Sequence, residues 1–131
     1  MKELRGLLIK AEGNYTVEER VIDRESELHE FYYLLDCDYI DIVTRSIGGK
    51  EYDIVIDDEG LYKEQPLASG LCRNADETLV GSILVCGVAN NEGEMTSLTD
   101  EDVRNIKANI YAHDYIKDGE SFTGKLLLYK C

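Results

Sequence analysis

The chain has 131 residues, with 27 Asp and Glu against 14 Lys and Arg, and its formal net charge is −13. This excess of negative charge repels nucleic acid and anionic membranes, so it argues against direct binding to either. No apolar run is long enough for a membrane span or a signal peptide, so we predict a cytoplasmic protein.

The first half of the chain predicts two β-hairpins separated by a helix. An apolar segment and a β-branched segment flank a Gly-Asn turn signal and form the first hairpin. The helix begins after Asp23, which is a good N-cap, and stops around Asp36. The second hairpin turns at a Gly-Gly pair. The predicted strands of these hairpins are residues 4–11, 16–22, 39–47 and 51–57.

Alternation in the strand at 51–57 predicts a sheet with one solvent-exposed face. Tyr52 and Ile54 point to one side, whereas Asp53 and Asp57 point to the other, and Val55 is the exception to the pattern. Such a half-buried pattern is typical of an antiparallel sheet whose second face is wet.

The second half predicts two further strands and a second helix. Residues 61–78 have weak periodicity and predict a long loop, whereas residues 79–88 are apolar on both alternations and predict a central strand covered on both faces. Residues 122–130 predict the final strand. The clearest local signal is Thr99, an N-cap with Asp102 three residues later, which approximates a capping box. The buried stripe of the helix that follows is Val103, Ile106 and Ile110.

These elements predict a single α+β domain over residues 1–131. Its sheet is twisted, mostly antiparallel and five- to six-stranded, and two helices pack on it. Residues 3–112 form the core, and residues 113–131 add a C-terminal strand.

Four segments, taken in order, carry a resemblance to a known family. Together they resemble small proteins of phages, plasmids and gut bacteria that are catalogued as domain of unknown function 3846. The resemblance covers roughly residues 3–112 and implies an α+β fold in a mobile-element setting, but it supplies no activity. The segments are YIDIV at 39–43, DDEG at 57–60, LVGSILV at 79–85 and TSLTDED at 96–102.

Catalytic and metal sites have little support in the sequence. The turn at 57–60 lacks the ligand spacing of a calcium loop, so its carboxylates are interpreted as solvated. Cys86 lies in an apolar strand, where a thiol is usually inert, and His29 and His113 both fall on predicted helices. The four cysteines form no C-x-x-C pair. We therefore predict no metal, no cofactor and no catalytic residue, and an enzyme is the least favoured of three hypotheses.

The first hypothesis is a non-enzymatic, protein-binding accessory of a mobile element. Carboxylates at a density comparable to DNA phosphates could occupy the basic groove of a nuclease or repressor, which would make the domain a DNA mimic or anti-defence inhibitor. The predicted partner is a basic protein, and an exposed strand edge also allows a homodimer. The candidate acidic face consists of Asp36, Asp38, Asp41, Asp53, Asp57, Asp58 and Glu59.

The alternative hypothesis is a small-molecule or nucleotide-signal binding domain. Here the loop at 61–78 closes a pocket over the sheet. An anionic ligand would need local basic groups, for which Lys50, Lys63 and Arg73 are the candidates.

Overall fold

An antiparallel sheet of six strands carries two helices in the computed structural model. The structure describes residues 3–10, 16–58, 68–72, 79–80, 82–116 and 123–129. Only the backbone is described for residues 68–72, 79–80, 111–116 and 123–129. The described strands are β1 (Glu3–Lys10), β2 (Thr16–Asp23), β3 (Ile40–Ile47), β4 (Lys50–Asp57), β5 (Ala68–Cys72), β6 (Leu79–Val80), β7 (Ile83–Ala89), β8 (Met95–Thr96), β9 (Ile110–Ile116) and β10 (Thr123–Tyr129). The helices are α1 (Glu27–Leu35) and α2 (Asp100–Ala108), and a 3-10 turn at Arg24–Ser26 leads into α1.

The main sheet has the order β2-β1-β7-β4-β3, and the short strand β8 adds to β7. All of its pairings are antiparallel. This arrangement confirms the predicted α+β class and strand number. A second sheet, with the order β6-β5-β10-β9, was not predicted. Its β5 lies in the segment predicted as a loop, because parallel pairing with β10 is a long-range contact that leaves no local sequence signal.

The two helices cover opposite faces of the main sheet. Phe31 and Leu35 of α1 pack in one buried cluster with Leu8, whereas Ile106 of α2 packs in another cluster with Leu7. Because consecutive strand residues point to opposite faces, Leu7 and Leu8 mark two sides of β1. We call these sides the α1 face and the α2 face. The prediction of one solvent-exposed face is therefore wrong for the central strands.

The central strands are buried on both sides. Ile54 and Val55 of β4 are both fully buried, as are Leu84 and Val85 of β7. Full burial of one such side chain stabilises the fold by roughly 1.5–3 kcal/mol. The prediction of a central strand covered on both faces is confirmed for β7.

The helix α2 is shorter than predicted. It ends at Ala108, and β9 begins at Ile110 and pairs with β10. The prediction that His113 lies on a helix is therefore wrong. Residues 110–116 contain β-branched and aromatic residues that fit a strand, and the long-range pairing with β10 outweighs the helical spacing of Ile106 and Ile110.

The β3–β4 turn gives the first testable prediction, because both of its glycines have a positive φ, 60° at Gly48 and 85° at Gly49. A Cβ on Gly48 would lie 2.3 Å from Oδ1 of Asn105, whereas a Cβ on Gly49 would meet nothing within 4 Å. We expect Gly49→Ala to cost about 1 kcal/mol through backbone strain alone, and Gly48→Ala about 2 kcal/mol. Urea unfolding of both variants measures the difference, and equal costs would show that Asn105 moves aside freely.

Candidate functional site

The seven residues of the predicted acidic face do not share one surface. Asp53 and Asp57 lie on the α1 face and are only 7% and 8% exposed, so the expectation that these two side chains face solvent is wrong. The helix α1 covers this part of the sheet. Glu59 lies outside the described residues. The exposed members of the set are Asp36, Asp38, Asp41 and Asp58.

Asp53 has a structural role in the sheet. Its Oδ1 accepts a hydrogen bond from the Thr44 hydroxyl at 2.7 Å, and its Oδ2 accepts one from the backbone N–H of Ala89 at 2.9 Å. The carboxylate thus connects β4 to β3 on one side and to the end of β7 on the other.

An exposed tyrosine lies beside two of the exposed carboxylates. In the β3–β4 register, Ile40 faces Asp57 and Asp41 faces Ile56. The Asp58 N–H donates to the Tyr39 carbonyl at 3.0 Å, which continues this register by one residue. Strand alternation then places Tyr39, Asp41 and Asp58 together on the α2 face. We call these three residues the Tyr39 surface.

The Tyr39 surface is open and carries unneutralised charge. Tyr39 is 61% exposed, and both aspartates are exposed. Among the residues that the structure describes, no ion pair involves Asp38, Asp41 or Asp58, whereas Arg5 and Arg24 are each paired with carboxylates. An aromatic ring between carboxylates attracts a cation through both the ring face and the charges.

A second polar cluster fixes α2 to the β3–β4 hairpin. Lys50 Nζ donates to Asp102 Oδ1 at 2.6 Å, and the buried Tyr52 hydroxyl donates to the same oxygen at 3.1 Å. Asn105 donates to the Tyr52 hydroxyl at 2.9 Å. Thr99 and Asp102 form the predicted capping box, with the Thr99 N–H donating to Asp102 Oδ2 at 2.9 Å. Because these groups form hydrogen bonds with one another, the cluster has a structural role and holds α2 against the β3–β4 hairpin.

The electrostatics of the buried groups argue against nucleophilic chemistry in these side chains. Burial raises the pKa of Tyr52, and the hydrogen bond from Asn105 only partly opposes this effect. Burial also raises the pKa of the Cys86 thiol to about 12. Both groups therefore stay protonated at neutral pH. His29 is exposed on α1, whereas Cys86 is fully buried.

Asp102 gives the domain a defined acid sensitivity. Burial alone would raise its pKa, but hydrogen bonds from Lys50, Thr99 and Tyr52 lower it to about 2. A carboxylate whose pKa is lower in the folded state than in the unfolded state stabilises the fold at pH values above the unfolded-state pKa. This stabilisation is lost as the pH falls through the folded-state pKa. We therefore expect the stability gap between the wild type and Asp102→Asn to narrow between about pH 4 and pH 2.

Urea unfolding at several pH values measures this gap. Glu101→Gln is the control, because Glu101 is an exposed carboxylate in the same helical turn. A gap that stays constant down to pH 2 would contradict the assigned role of the Asp102 charge.

Comparison with known proteins gives one match. The model of a family described as domain of unknown function (DUF3846) matches residues 4–111. The chain belongs to the DUF3846 family. No curated protein and no solved structure matches this DUF3846 domain. The resemblance read from the four sequence segments is thus confirmed, whereas the phage or plasmid setting stays a prediction.

The remaining predictions about ligands and location stay open at this stage. Lys50 is engaged by Asp102, and Lys63 and Arg73 lie outside the described residues, so the pocket under the 61–78 loop stays a prediction. In the described part of the DUF3846 domain, no His, Cys, Asp and Glu side chains group in a way that could hold a metal ion. Neither described helix has the length and apolar character to cross a membrane.

Sequence reasoning missed two features of the site. Tyr39 was not singled out, although the pattern Asp-Tyr-Ile-Asp at 38–41 places an aromatic residue two positions from an aspartate, on the same face of a strand. The pairing of Lys50 with Asp102 joins residues that are 52 positions apart, and no local pattern indicates it.

Proposed function

We propose that this DUF3846 domain is a non-enzymatic, protein-binding module that binds a basic segment of its partner at the Tyr39 surface. The observation that carries the proposal is the 61% exposure of Tyr39 beside two exposed carboxylates without a described ion pair. An Arg or Lys side chain of the partner would lie over the Tyr39 ring, with its charge near Asp41 or Asp58.

Each expected contact contributes only a small free energy, but all of the contacts favour binding. A cation over an exposed aromatic ring contributes about 0.5–1 kcal/mol, and more when the pair is desolvated by the partner. Each exposed ion pair adds roughly 0.2–1 kcal/mol. A partner with two or three basic residues is therefore needed for useful affinity.

The net charge of −13 supports the same partner class. A strongly negative domain raises the rate at which positively charged partners collide with it, and salt screens this steering. We infer that association slows steeply with added salt, while dissociation changes less.

A displayed library of random peptides, selected on the immobilised domain, tests the proposal. The expected result is enrichment of peptides rich in Arg and Lys that bind wild type and fail to bind a variant carrying Tyr39→Ala, Asp41→Asn and Asp58→Asn. Glu51→Gln is the matched control for a lost carboxylate, because Glu51 is exposed on β4 and lies on the other face from Tyr39. Selected peptides without a basic bias, or peptides that bind the triple variant equally well, would overturn the proposal.

DNA mimicry is a more specific form of this protein-binding function. A mimic needs carboxylates spaced along one surface like phosphates on a duplex. The described acidic residues are divided between the two faces of the sheet and include buried ones, so the structure gives mimicry no particular support. Competition between duplex DNA and this domain for one partner protein would support mimicry, whereas simultaneous binding of both would exclude it for that partner. The role in a mobile element likewise stays a prediction.

A further inference from the structure

The strand β2 forms one edge of the main sheet. It pairs with β1 along its whole length, and none of the described strands pairs with its outer side. At the opposite edge, β5 of the second sheet lies close to β3. The edge at β2 is therefore the open one among the described strands.

The backbone hydrogen bonds of Arg5 show which backbone groups of β2 point outward from the sheet. The N–H of Arg5 donates to the Ser97 hydroxyl, and its carbonyl accepts from the Leu98 N–H, so both groups point away from β2. Arg5 faces Val21 in the β1–β2 register. In such a non-hydrogen-bonded pair, the N–H and C=O groups of Val21 point away from β1.

Alternation extends this result along the strand. The backbone groups of Val17, Glu19 and Val21 point outward, whereas those of the residues between them bond to β1. The next outward N–H, that of Asp23, is occupied, because it donates to Glu30 Oε2 at 2.7 Å. The open edge thus ends at Val21.

We propose that β2 is a homodimerisation edge, at which a second copy of this chain adds antiparallel with Glu19 opposite Glu19. In antiparallel pairing, outward-pointing residues must oppose outward-pointing residues, so a twofold-symmetric register must centre on a residue rather than between two. Centring on Glu19 places Val17 opposite Val21 and Glu18 opposite Arg20. Centring on Glu18 or Arg20 also places like charges at the centre, but it pairs Glu19 with Val17 or Val21, so neither the two valines nor Glu18 and Arg20 oppose each other.

Side chains along this edge support the Glu19 register. Val21 is 60% exposed, and pairing with Val17 of the second copy would bury it. Arg20 already contacts Glu18 of its own chain at 2.5 Å, and its buried Nε has no acceptor. The Glu18 of a second copy adds a carboxylate next to this guanidinium, on the same face of the joined sheet.

The like charges at the centre of the register are compensated. Each Glu19 accepts a hydrogen bond from Arg5 of its own chain, so two ion pairs rather than two bare carboxylates meet at the axis. The large net charge of each copy opposes association, but at physiological salt charges beyond about 8 Å are largely screened. The Tyr39 surface, at the other end of the sheet, stays free in both copies.

Sedimentation velocity of the full chain at physiological salt tests the proposal through a charge-swap series. We expect a concentration-dependent dimer for the wild type. Arg20→Glu alone and Glu18→Arg alone should each raise the dimer dissociation constant at least tenfold, because each places two like-charged pairs across the edge. Mixing these two variants should restore a dimer, since both cross-strand pairs between positions 18 and 20 are then opposite in sign.

Arg104→Glu is the control for the change in net charge, because Arg104 is exposed on α2. It should leave the dimer unchanged. Circular dichroism of each variant shows that the fold is retained. A wild type that stays monomeric up to millimolar concentration would overturn the proposal, as would a mixture that does not dimerise better than its two components.

Discussion

Asp102→Ala should lower the free energy of unfolding by about 3–4 kcal/mol. The substitution removes half of the capping box, which contributes about 1 kcal/mol. It also removes a carboxylate, 5% exposed, that accepts hydrogen bonds from Lys50 and Tyr52, and hydrogen bonds to a charged group contribute roughly 1.5–3 kcal/mol. The buried Tyr52 hydroxyl would lose its acceptor.

Urea unfolding followed by circular dichroism measures this loss. Thr99→Ala, which removes the other half of the box, should cost only about 1 kcal/mol, and Glu101→Ala less than about 0.5 kcal/mol. If Asp102→Ala costs no more than Thr99→Ala, the contacts with Lys50 and Tyr52 do not contribute to the free energy of unfolding. The structural role assigned to this cluster would then be wrong.

Asp53→Ala should cost about 2–3 kcal/mol, although the sequence placed Asp53 among the binding residues. Its carboxylate accepts from the Thr44 hydroxyl and from the Ala89 N–H, and the substitution leaves both donors without this acceptor. Once the folded fraction is accounted for, the affinity for a basic partner should be unchanged, because Asp53 is buried on the face opposite Tyr39.

Glu51→Ala is the matched control for Asp53→Ala, since Glu51 is an exposed acidic residue on the same face of β4. It should change the free energy of unfolding by less than about 0.5 kcal/mol. A stable Asp53→Ala variant with weakened partner binding would return Asp53 to the binding surface and contradict the structural role.

The features predicted correctly from sequence are those with local causes. The capping box needs only Thr99 and Asp102, three residues apart, and the Gly48-Gly49 turn needs only two residues that tolerate positive φ. The β3–β4 hairpin, which turns at Gly48-Gly49, was predicted correctly for the same reason.

The exposure of Asp53 was mispredicted because alternation shows which residues share a face but not whether that face is covered. The helix α1 covers the α1 face of β4, and its position depends on packing between distant segments. One local signal was present: Val55 lies between Asp53 and Asp57 on the same face and is fully buried. An apolar residue in the middle of an acidic alternation thus indicates a covered face.

Long-range pairing explains the other differences. Leu71 of β5 faces Leu128 of β10 in the second sheet, and Lys50 meets Asp102 across the α2 face. Neither pair has a sequence pattern of its own, because each partner reads locally as an ordinary strand or helix residue. The Tyr39 surface also depends on register, since Asp58 joins Tyr39 only through the β3–β4 pairing.

The most direct test of the proposed function compares two exposed tyrosines. Tyr33 is 81% exposed but lies on α1, whereas Tyr39 immediately precedes β3 and lies two positions from Asp41. Isothermal titration with a selected basic peptide measures the dissociation constants of Tyr39→Ala and Tyr33→Ala. We predict that Tyr39→Ala weakens binding about tenfold, while Tyr33→Ala changes it less than about twofold. Equal effects, or a larger effect at Tyr33, would contradict a binding site at the Tyr39 surface.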